Sequence, residues 1–387
     1  MKSILLLGLI ILHDISFSQI KSSDSLHSGV KINKAYTKTN ELQTIMNRYT
    51  VKDMPGIALA VYSESEGWWS GASGYSKVES KIPMTINNLQ YIQSVSKTYM
   101  AFAALKLYEE GRLDLDAIIT KYLPEKYIRL IKNADKITVR MLLNHTSGIP
   151  EYINDPEYTA AVILNPTKVL PMEDVILCLE NEEPQFVPGS RYSYTNTNYF
   201  LLTIIGDVVS GDHAKYIEEN ILKPLQLENT FYRSSKGYLK YPLLTDTYWD
   251  ILNSGRPANI SPMQVANVSA LRGDDGIVAT PIDVVKFLKG LVEGKLIKDV
   301  TMAQMQQWVK TDDGRPAYGL GLLRLDHEGS PGFGHGGGGL GAGCILMYVP
   351  AKKVYFFLAT NIGVVIDGPV GIKVNDMKNE IVAVLMR

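Results

Sequence analysis

The segment SVSKTYMAFAALKLYEEG, residues 94–111, has the clearest helical pattern in the chain. Its apolar residues recur at spacings of three and four, the period of one helix face: Met100, Ala103, Ala104, Leu107 and Tyr108. Gly111 follows as a typical stop signal. The pattern therefore predicts an amphipathic helix with Ser94 and Lys97 in its first turn. Because residues three apart share a helix face, the hydroxyl and the amine are expected to be neighbours.

Ser-x-x-Lys occurs three times, beginning at Ser18, Ser28 and Ser94. The first two copies lie in an amino-terminal region that gives no sign of a folded scaffold. At Ser94, a lysine that has lost its proton could activate the hydroxyl, and the free N–H groups of the helix start would favour an anion. The same residues also fit a simpler interpretation, in which Ser94 caps the helix and Lys97 is a solvated charge.

Strand patterns lie near both ends of the sequence, around a middle of amphipathic helices and loops. They cover residues 56–62, 68–76, 318–327, 340–350 and 353–362. A final helix is indicated by apolar residues on one face: Val374, Met377, Ile381 and Val384. We predict an α/β fold of the α+β type, with one antiparallel sheet built from both termini, flanked by helices, and an inserted helical lobe.

The predicted division has a sheet lobe at 41–85 plus 275–387 and a mainly helical lobe at 86–274, with the active site between them. Ahead of these, Lys2, the apolar run Ile4–Leu12 and the small residues around Ser18 are typical of a secretory signal peptide over 1–18. An amino-terminal helix packed on the body is the alternative. Residues 19–40 are predicted to form a tail, and the protein is expected to be exported, periplasmic or secreted.

Composition excludes several kinds of partner. With 39 basic and 40 acidic residues, the chain has no charge excess that would favour nucleic acid or an anionic membrane. The apolar run at the amino terminus is shorter than the roughly 20 residues of a membrane span, so we expect no stable membrane insertion after signal cleavage. No HExxH motif or Cys/His cluster occurs, and neither a metal nor a cofactor is predicted. Cys178 and Cys344 lie in apolar patterns that favour buried free thiols, with a disulfide as the alternative.

The run GHGGGGLGAG, residues 334–343, contains Gly-x-Gly-x-x-Gly. A dinucleotide site requires a helix after the glycines and an acid about 20 residues on, whereas a strand pattern follows here. Glycine in a strand often marks a close approach by a ligand or another backbone. Tyr-x-Asn also occurs twice, at Tyr152 and Tyr194. At Tyr194 a phenol could move a proton and Asn196 could orient a neighbour, although packing and helix capping explain such residues equally well.

Together, SVSK, YTN at 194–196 and HGG at 335–337 resemble, in order and spacing, the three active-site motifs of serine β-lactamases and penicillin-recognising peptidases. Within this superfamily the sequence resembles the branch that contains class C β-lactamases and D-alanyl-D-alanine carboxypeptidases. Segments such as ITVRMLLNHTSGIP, DGIVATPIDVVKF and YGLGL extend the likeness over about residues 40–385. The resemblance implies a β-lactamase/transpeptidase-like fold. The HTSG loop, residues 145–148, is interpreted as structural, with the histidine and hydroxyls holding a turn.

The resemblance also implies roles for the matching residues. Ser94 is the expected nucleophile, Lys97 its base, Tyr194 a second base or proton shuttle, and Asn196 an orienting amide. The oxyanion is expected to bind the backbone N–H groups of Ser94 and Gly338, with Gly336 and Gly337 as further substrate-binding positions. His335 stands where many members have lysine, and is expected near Tyr194 or a substrate carboxylate.

These roles imply a serine hydrolase that forms an acyl-enzyme on Ser94, and the signal-peptide pattern implies that it is exported. Its expected substrate is a small molecule or peptide with an amide bond, as for a D-Ala-D-Ala carboxypeptidase or a D-amino-acid peptidase. A β-lactamase or carboxylesterase of the same family is the first alternative. A penicillin-recognising sensor that does not hydrolyse its ligand is the second. The oligomeric state is left open by the sequence.

Overall fold

The computed structural model describes residues 30–52, 54–232, 241–270, 273–327, 329–364 and 368–387. The predicted signal peptide and residues 19–29 of the predicted tail lie outside this part of the chain. The rest of that tail forms a bridge between Ile32 and Trp68, and the first helix begins at Thr39. Among the described residues, no helix combines the length and apolar character needed to cross a bilayer.

A nine-stranded antiparallel sheet dominates the described part of the molecule, with spatial order β3-β2-β1-β14-β13-β12-β11-β10-β9. Its strands are β1 (Gly56–Ser63), β2 (Gly67–Lys77), β3 (Ile82–Pro83), β9 (Val309–Lys310), β10 (Pro316–Tyr318), β11 (Leu323–His327), β12 (Ser330–Gly338), β13 (Gly343–Val349) and β14 (Val354–Thr360). Two smaller sheets use β4 (Gln90–Tyr91), β5 (Thr230–Phe231) and β8 (Val278–Ala279), and β6 (Tyr248–Trp249) and β7 (Ala258–Asn259). The main sheet thus combines strands from near both ends of the sequence, as predicted.

The helices are α1 (Thr39–Lys52), α2 (Ser96–Glu109), α3 (Glu125–Ile128), α4 (Val139–Leu143), α5 (Pro156–Leu164), α6 (Met172–Leu177), α7 (Asn196–Ser210), α8 (His213–Ile217), α9 (Ser261–Ala270), α10 (Pro281–Val292), α11 (Asp299–Met305) and α12 (Pro369–Met386). The amino-terminal α1 contacts β2 and the carboxy-terminal α12, whereas α10 packs on β1, β13 and β14. The helices from α2 to α11 all belong to the segment between β3 and β9. This arrangement confirms the predicted fold class.

Strand β14 is buried along its whole length, because both faces of the sheet are covered. Phe356 and Leu358 pack in the cluster that contains α1 and α12. Tyr355 and Phe357 point to the opposite cluster, which contains α2, α7 and α10. Side chains alternate across a strand, so a strand covered on both faces reads as an unbroken apolar run. The final helix also matches its pattern: the four residues predicted on one face are buried against this sheet.

The predicted strand over 318–327 is divided in the structure. Tyr318 ends β10 and Leu323 begins β11, and between them Gly319 N donates to Leu322 O in a turn. Gly321 has φ of 79°, and an added Cβ there would lie 2.1 Å from Ala101 on α2. The turn therefore fits closely against the helix that follows the serine. Lobe boundaries at 85/86 and 274/275 stay a prediction.

Candidate active site

Ser94 lies in a 3₁₀ turn, Gln93–Val95, immediately before α2. The sequence pattern predicted Ser94 in the first turn of the α-helix, whereas in the structure α2 begins two residues later, at Ser96. The turn begins with Gln93 at φ of 50°, a left-handed conformation that non-glycine residues rarely adopt. This conformation sets the direction in which the chain enters the turn, and Ser94 borders a cavity of about 530 Å³.

Lys97 is completely buried beneath Ser94, with relative exposure of 0%. Its Nζ lies 3.0 Å from Ser94 Oγ and donates to Asn196 Oδ1 and to the carbonyl oxygen of Asp274, both at 2.7 Å. The amide and carbonyl oxygens can only accept hydrogen bonds. In a neutral amine they occupy both N–H groups, so the remaining lone pair faces the serine hydroxyl. This geometry is suitable for removing the Ser94 proton.

Glu151, which the sequence analysis missed, fixes the orientation of the Asn196 amide. Its Oε2 accepts from Asn196 N (2.7 Å) and Asn196 Nδ2 (2.9 Å). With Nδ2 held by the carboxylate, Oδ1 must face Lys97. Burial raises the pKa of Glu151, an effect opposed by hydrogen bonds from Asn196 and Ile153 and by the Lys97 charge. Its position three residues after the HTSG loop was the available signal, but spacing alone does not reveal a contact with Asn196.

Tyr194 lies beside the Ser94–Lys97 pair, at the segment that leads into α7. Lys97 Nζ is 5.3 Å from the centre of its ring. Burial raises the pKa of the Tyr194 phenol, while the Lys97 charge and hydrogen bonding with Ser94 and Lys97 oppose the increase. The structure thus brings together four of the residues singled out in the sequence: Ser94, Lys97, Tyr194 and Asn196.

The HTSG loop supports this segment from below. His145 is fully buried, and its Nδ1 accepts from the backbone N–H of Thr195 (3.3 Å). Its carbonyl oxygen accepts from Ser193 N (3.0 Å), and Ser147 Oγ donates to Asn198 Oδ1 (2.7 Å). Burial, with the Lys97 charge second, keeps the pKa of His145 well below its usual value. The loop is therefore a structural support for the Tyr-x-Asn segment.

His335 bonds to Tyr318 and has no hydrogen bond to Tyr194 among those recorded for the described residues. Its Nδ1 is 2.6 Å from the carbonyl oxygen of Gly336, which can only accept, so Nδ1 carries the proton. Nε2 then accepts from the Tyr318 hydroxyl at 2.8 Å. Burial lowers the pKa of His335 to about 3. The imidazole is neutral, with both nitrogens occupied, and offers no charge to a substrate carboxylate.

Glycines are required on one face of β12, where the strand passes the serine turn. A Cβ on Gly337 would lie 2.7 Å from Ile92 O, and one on Gly339 would lie 2.2 Å from Gln93 Oε1. Gly336 faces open space, since no atom lies within 4 Å of an added Cβ. Gly336 and Gly338 border the cavity, but Gly337, which the sequence analysis included among the substrate-binding positions, packs against the turn instead.

The N–H group of Gly338 points away from β13. Gly339 N donates to Ala342 O (3.0 Å) across the β12–β13 hairpin, and successive N–H groups of a strand alternate in direction. On the other side, pairing with β11 ends at Leu323–Gly334. The Gly338 donor therefore lies at an unpaired strand edge beside the cavity, a suitable orientation for an oxyanion.

The cavity has aromatic and aliphatic walls and an acidic patch. No lysine or arginine is found among the described residues that border the cavity, whereas Asp274 and Asp275 both border it. Burial and the neighbouring Asp274 carboxylate raise the pKa of Asp275 to about 7. Tyr152 donates to Asp274 Oδ2 at 2.8 Å. The site is therefore more suitable for neutral or cationic ligand groups than for anions.

The two cysteines and the cluster around His213 are not among the residues that border the cavity. Cys178 and Cys344 are free and half-buried, so the alternative of a disulfide does not apply. Asp207, Asp212 and His213 form a group with metal-ligand geometry. However, His213 Nδ1 is 2.6 Å from Asp207 Oδ1 and Nε2 is 2.7 Å from the Tyr232 hydroxyl, so both nitrogens are already engaged.

This fold, with a serine and a lysine three residues apart beneath a glycine-rich strand, defines the class of the protein as a serine hydrolase. Comparison with known proteins identifies the group within it. The chain belongs to the β-lactamase family, because the family model described as Beta-lactamase matches residues 42–368. The resemblance inferred from the three motifs is thereby confirmed.

The chain is also similar to several known proteins. Protein flp of Staphylococcus aureus (strain MW2) is 29% identical over 189 residues, covering 49% of this chain but only 37% of that protein. Penicillin-binding protein 4* of Bacillus subtilis (strain 168) is 25% identical over 340 residues, covering 83% of this chain and 72% of that protein. The crystal structure of a D-stereospecific amidohydrolase from Streptomyces sp. matches with a TM-score of 0.73 and 25% identity, covering 84% and 94% of the two chains.

Proposed function

We propose that the protein hydrolyses amide bonds of small D-amino-acid derivatives through an acyl-enzyme on Ser94. The observation that carries the proposal is the set of contacts around Lys97 Nζ: it lies 3.0 Å from Ser94 Oγ and donates to two acceptors, so that once the amine has lost a proton its lone pair would face the serine hydroxyl. A D-stereospecific amidohydrolase and a penicillin-binding protein among the similar proteins support the substrate class.

The proposed reaction has two halves. Lys97 takes the Ser94 proton as Oγ attacks the substrate carbonyl, and the backbone N–H groups of Ser94 and Gly338 bind the oxyanion. The proton then passes through the Tyr194 hydroxyl to the leaving nitrogen, the C–N bond breaks and an ester with Ser94 remains. A water molecule, deprotonated by the same groups, attacks the ester carbonyl; the C–Oγ bond then breaks, the proton returns to Ser94 Oγ and the acid is released. Each oxyanion donor typically lowers the barrier by roughly 2.7–4 kcal/mol.

The charges around the cavity favour one branch of the predicted activity. A D-Ala-D-Ala carboxypeptidase has to bind a substrate carboxylate, and this cavity offers it a neutral His335, the carboxylate of Asp274, and Asp275, whose pKa of about 7 leaves it partly ionised at neutral pH. An amide without a carboxylate next to the scissile bond avoids that repulsion. We therefore propose D-amino-acid amides or peptide amino termini ahead of the carboxypeptidase substrates. Esters and β-lactams remain alternatives, because the acylation step is the same.

We also propose that the protein is exported. The support is the signal-peptide pattern over 1–18 in the sequence, with its basic residue, apolar run and small residues before Gln19. Amino-terminal sequencing of protein secreted by the expressing cell tests this part. A mature chain that begins near residue 19 supports export, and an intact Met1 in the cytoplasmic fraction contradicts it.

The activity is tested with purified residues 19–387. Substrates are D- and L-amino-acid amides, a D-Ala-D-Ala peptide, a chromogenic cephalosporin and a short aryl ester. We expect D-amide hydrolysis to be the fastest, and Ser94→Ala to lower it by about a thousandfold or more. Ser190→Ala, an exposed serine in the turn before the Tyr-x-Asn segment, is the matched control and should retain the rate. Wild-type rates in Ser94→Ala would refute the mechanism, and a stable adduct without turnover would favour the sensor.

A further inference from the structure

Helix α5 is apolar, yet it has no buried residue. Its carboxy-terminal half is the unbroken apolar run from Ala160 to Leu164, with Ile163 54% and Leu164 77% exposed. Runs of exposed apolar residues on a surface helix reduce solubility and are kept where they have a use. Tyr158, Ala161 and Val162 pack partly against the core, whereas Ile163 and Leu164 present a surface that packing within the described chain does not explain.

The inner side of α5 forms part of the wall around the serine. Tyr158, Val162 and Ile163 border the same cavity as Ser94. Tyr158 packs edge-on against Tyr152, with ring centres 5.0 Å apart, and Tyr152 donates to Asp274 Oδ2. The exposed apolar surface is thus continuous with the reaction centre through one pair of aromatic rings.

Helix α5 is held by hydrogen bonds at its amino-terminal end, whereas a small cavity lies beside its carboxy-terminal half. Asp155 caps the helix by accepting from Tyr158 N (2.7 Å), and Thr159 Oγ1 donates to Ile153 O (3.0 Å). A second, small cavity separates Val162 from Met263 and Ala266 on α9. Tyr158 and Val162 pack against the edge of the main core, and this small cavity leaves the wall incompletely filled on the α9 side.

We propose that the α5 wall, formed by Tyr158, Val162 and Ile163, binds a bulky apolar side chain on the acyl part of the substrate. This inference rests on the proposed amide hydrolysis, whose substrate class it narrows to amides with large aliphatic or aromatic acyl groups. The occupant is the substrate because the wall is continuous with the cavity that Ser94 borders.

The test separates binding from hydrolysis. D-alaninamide, D-norvalinamide and D-norleucinamide are titrated against the Ser94→Ala protein, with binding constants from ligand-observed NMR. Each buried methylene strengthens binding about fourfold, so affinity should rise roughly 60-fold across the series. Adding Ile163→Ser should weaken D-norleucinamide binding about tenfold and leave D-alaninamide within twofold. Leu164→Ser, on the same helix but outside the cavity wall, is the control and should preserve the full increase.

An affinity that is independent of chain length, or that rises equally with Ile163→Ser, overturns the subsite. The subsite is also overturned if Ile163→Ser and Leu164→Ser change the oligomer size equally while both variants keep the wild-type dependence of affinity on chain length. That result would assign α5 to contact with a second copy of the chain. Hydrolysis of the same amides by the wild type is measured separately. If affinity rises with chain length but no amide is hydrolysed, the subsite stands and the proposed function is refuted. If the amides are hydrolysed but affinity does not rise with chain length, the proposed function stands and the subsite is refuted.

Discussion

Replacing Glu151 by alanine should impair catalysis without touching the serine or the lysine. The carboxylate holds both the backbone N–H and the side-chain Nδ2 of Asn196 through one oxygen. Once it is removed, the Asn196 amide is free to rotate by half a turn. The rotated amide presents NH₂ to Lys97 Nζ, so a donor meets a donor where Oδ1 now accepts at 2.7 Å.

The size of the effect follows from those two contacts. Hydrogen bonds to charged groups contribute about 1.5–3 kcal/mol. If one such contribution is lost from the arrangement that orients the Lys97 lone pair, kcat should fall roughly 10- to 150-fold. KM should change less, since Glu151 is not among the residues that border the cavity.

Steady-state kinetics on the best D-amide, with thermal unfolding measured in parallel, checks this expectation. Glu151→Gln retains an accepting oxygen and should recover much of the lost rate. Glu157→Ala removes the same charge from an exposed position on α5 and serves as the matched control. If Glu151→Ala keeps kcat within twofold of the wild type, the orienting role is refuted. A kcat loss that merely follows a large decrease in Tm would indicate a structural role instead.

Two further predictions concern stability. Gly337→Ala places a Cβ 2.5 Å from Cys344 Sγ, so overpacking should cost about 1–3 kcal/mol and lower Tm by a few degrees. In Gly336→Ala the added Cβ meets no atom within 4 Å, so Tm should not fall. Equal Tm values for the two variants would contradict the packing argument. Asp275 has a pKa of about 7 in the folded chain against 3.8 for a free side chain, so the folded state retains a proton that the unfolded state has lost. Stability should therefore fall as pH rises from 4 to 7, by on the order of 4 kcal/mol, and stay low above pH 7. Asp275→Asn should match the wild type near pH 4 and unfold several degrees higher at pH 8 in calorimetry, and a gap that does not change with pH would refute the assignment.

The sequence was sufficient for features that depend on local pattern. Helical spacing predicted α2 and its end at Gly111, and alternation or unbroken apolar runs predicted the long strands. Motif order brought Ser94 and Lys97 together with the Tyr194 segment. The one predicted strand that was wrong, over 318–327, failed because Gly321 turns the chain where α2 approaches. The glycines in this stretch were a local signal, but glycine alone does not distinguish a turn from a strand that is closely approached.

The partners of the site residues could not be predicted in this way. Glu151 meets Asn196, and Tyr318 meets His335, because separate loops and strands converge on the serine turn. Likewise, the pattern of glycines revealed a close approach but not which face of β12 needed it. Such facts depend on the packing of distant segments, and the sequence carries no spacing that encodes them.

The central pairing of the main sheet has a consequence for how the chain is made. Strand β1 pairs along its length with β14, for example Ile57 with Thr360, so neighbours in the sheet are about 300 residues apart in sequence. A ribosome has to release nearly the whole chain before this ladder can close, and until then β1 has β2 as its only neighbour in the sheet. Late closure of such distant contacts slows folding and leaves strand edges exposed. In a newly made chain, β1 therefore keeps one edge unpaired until β14 has been synthesised, and an unpaired strand edge favours aggregation.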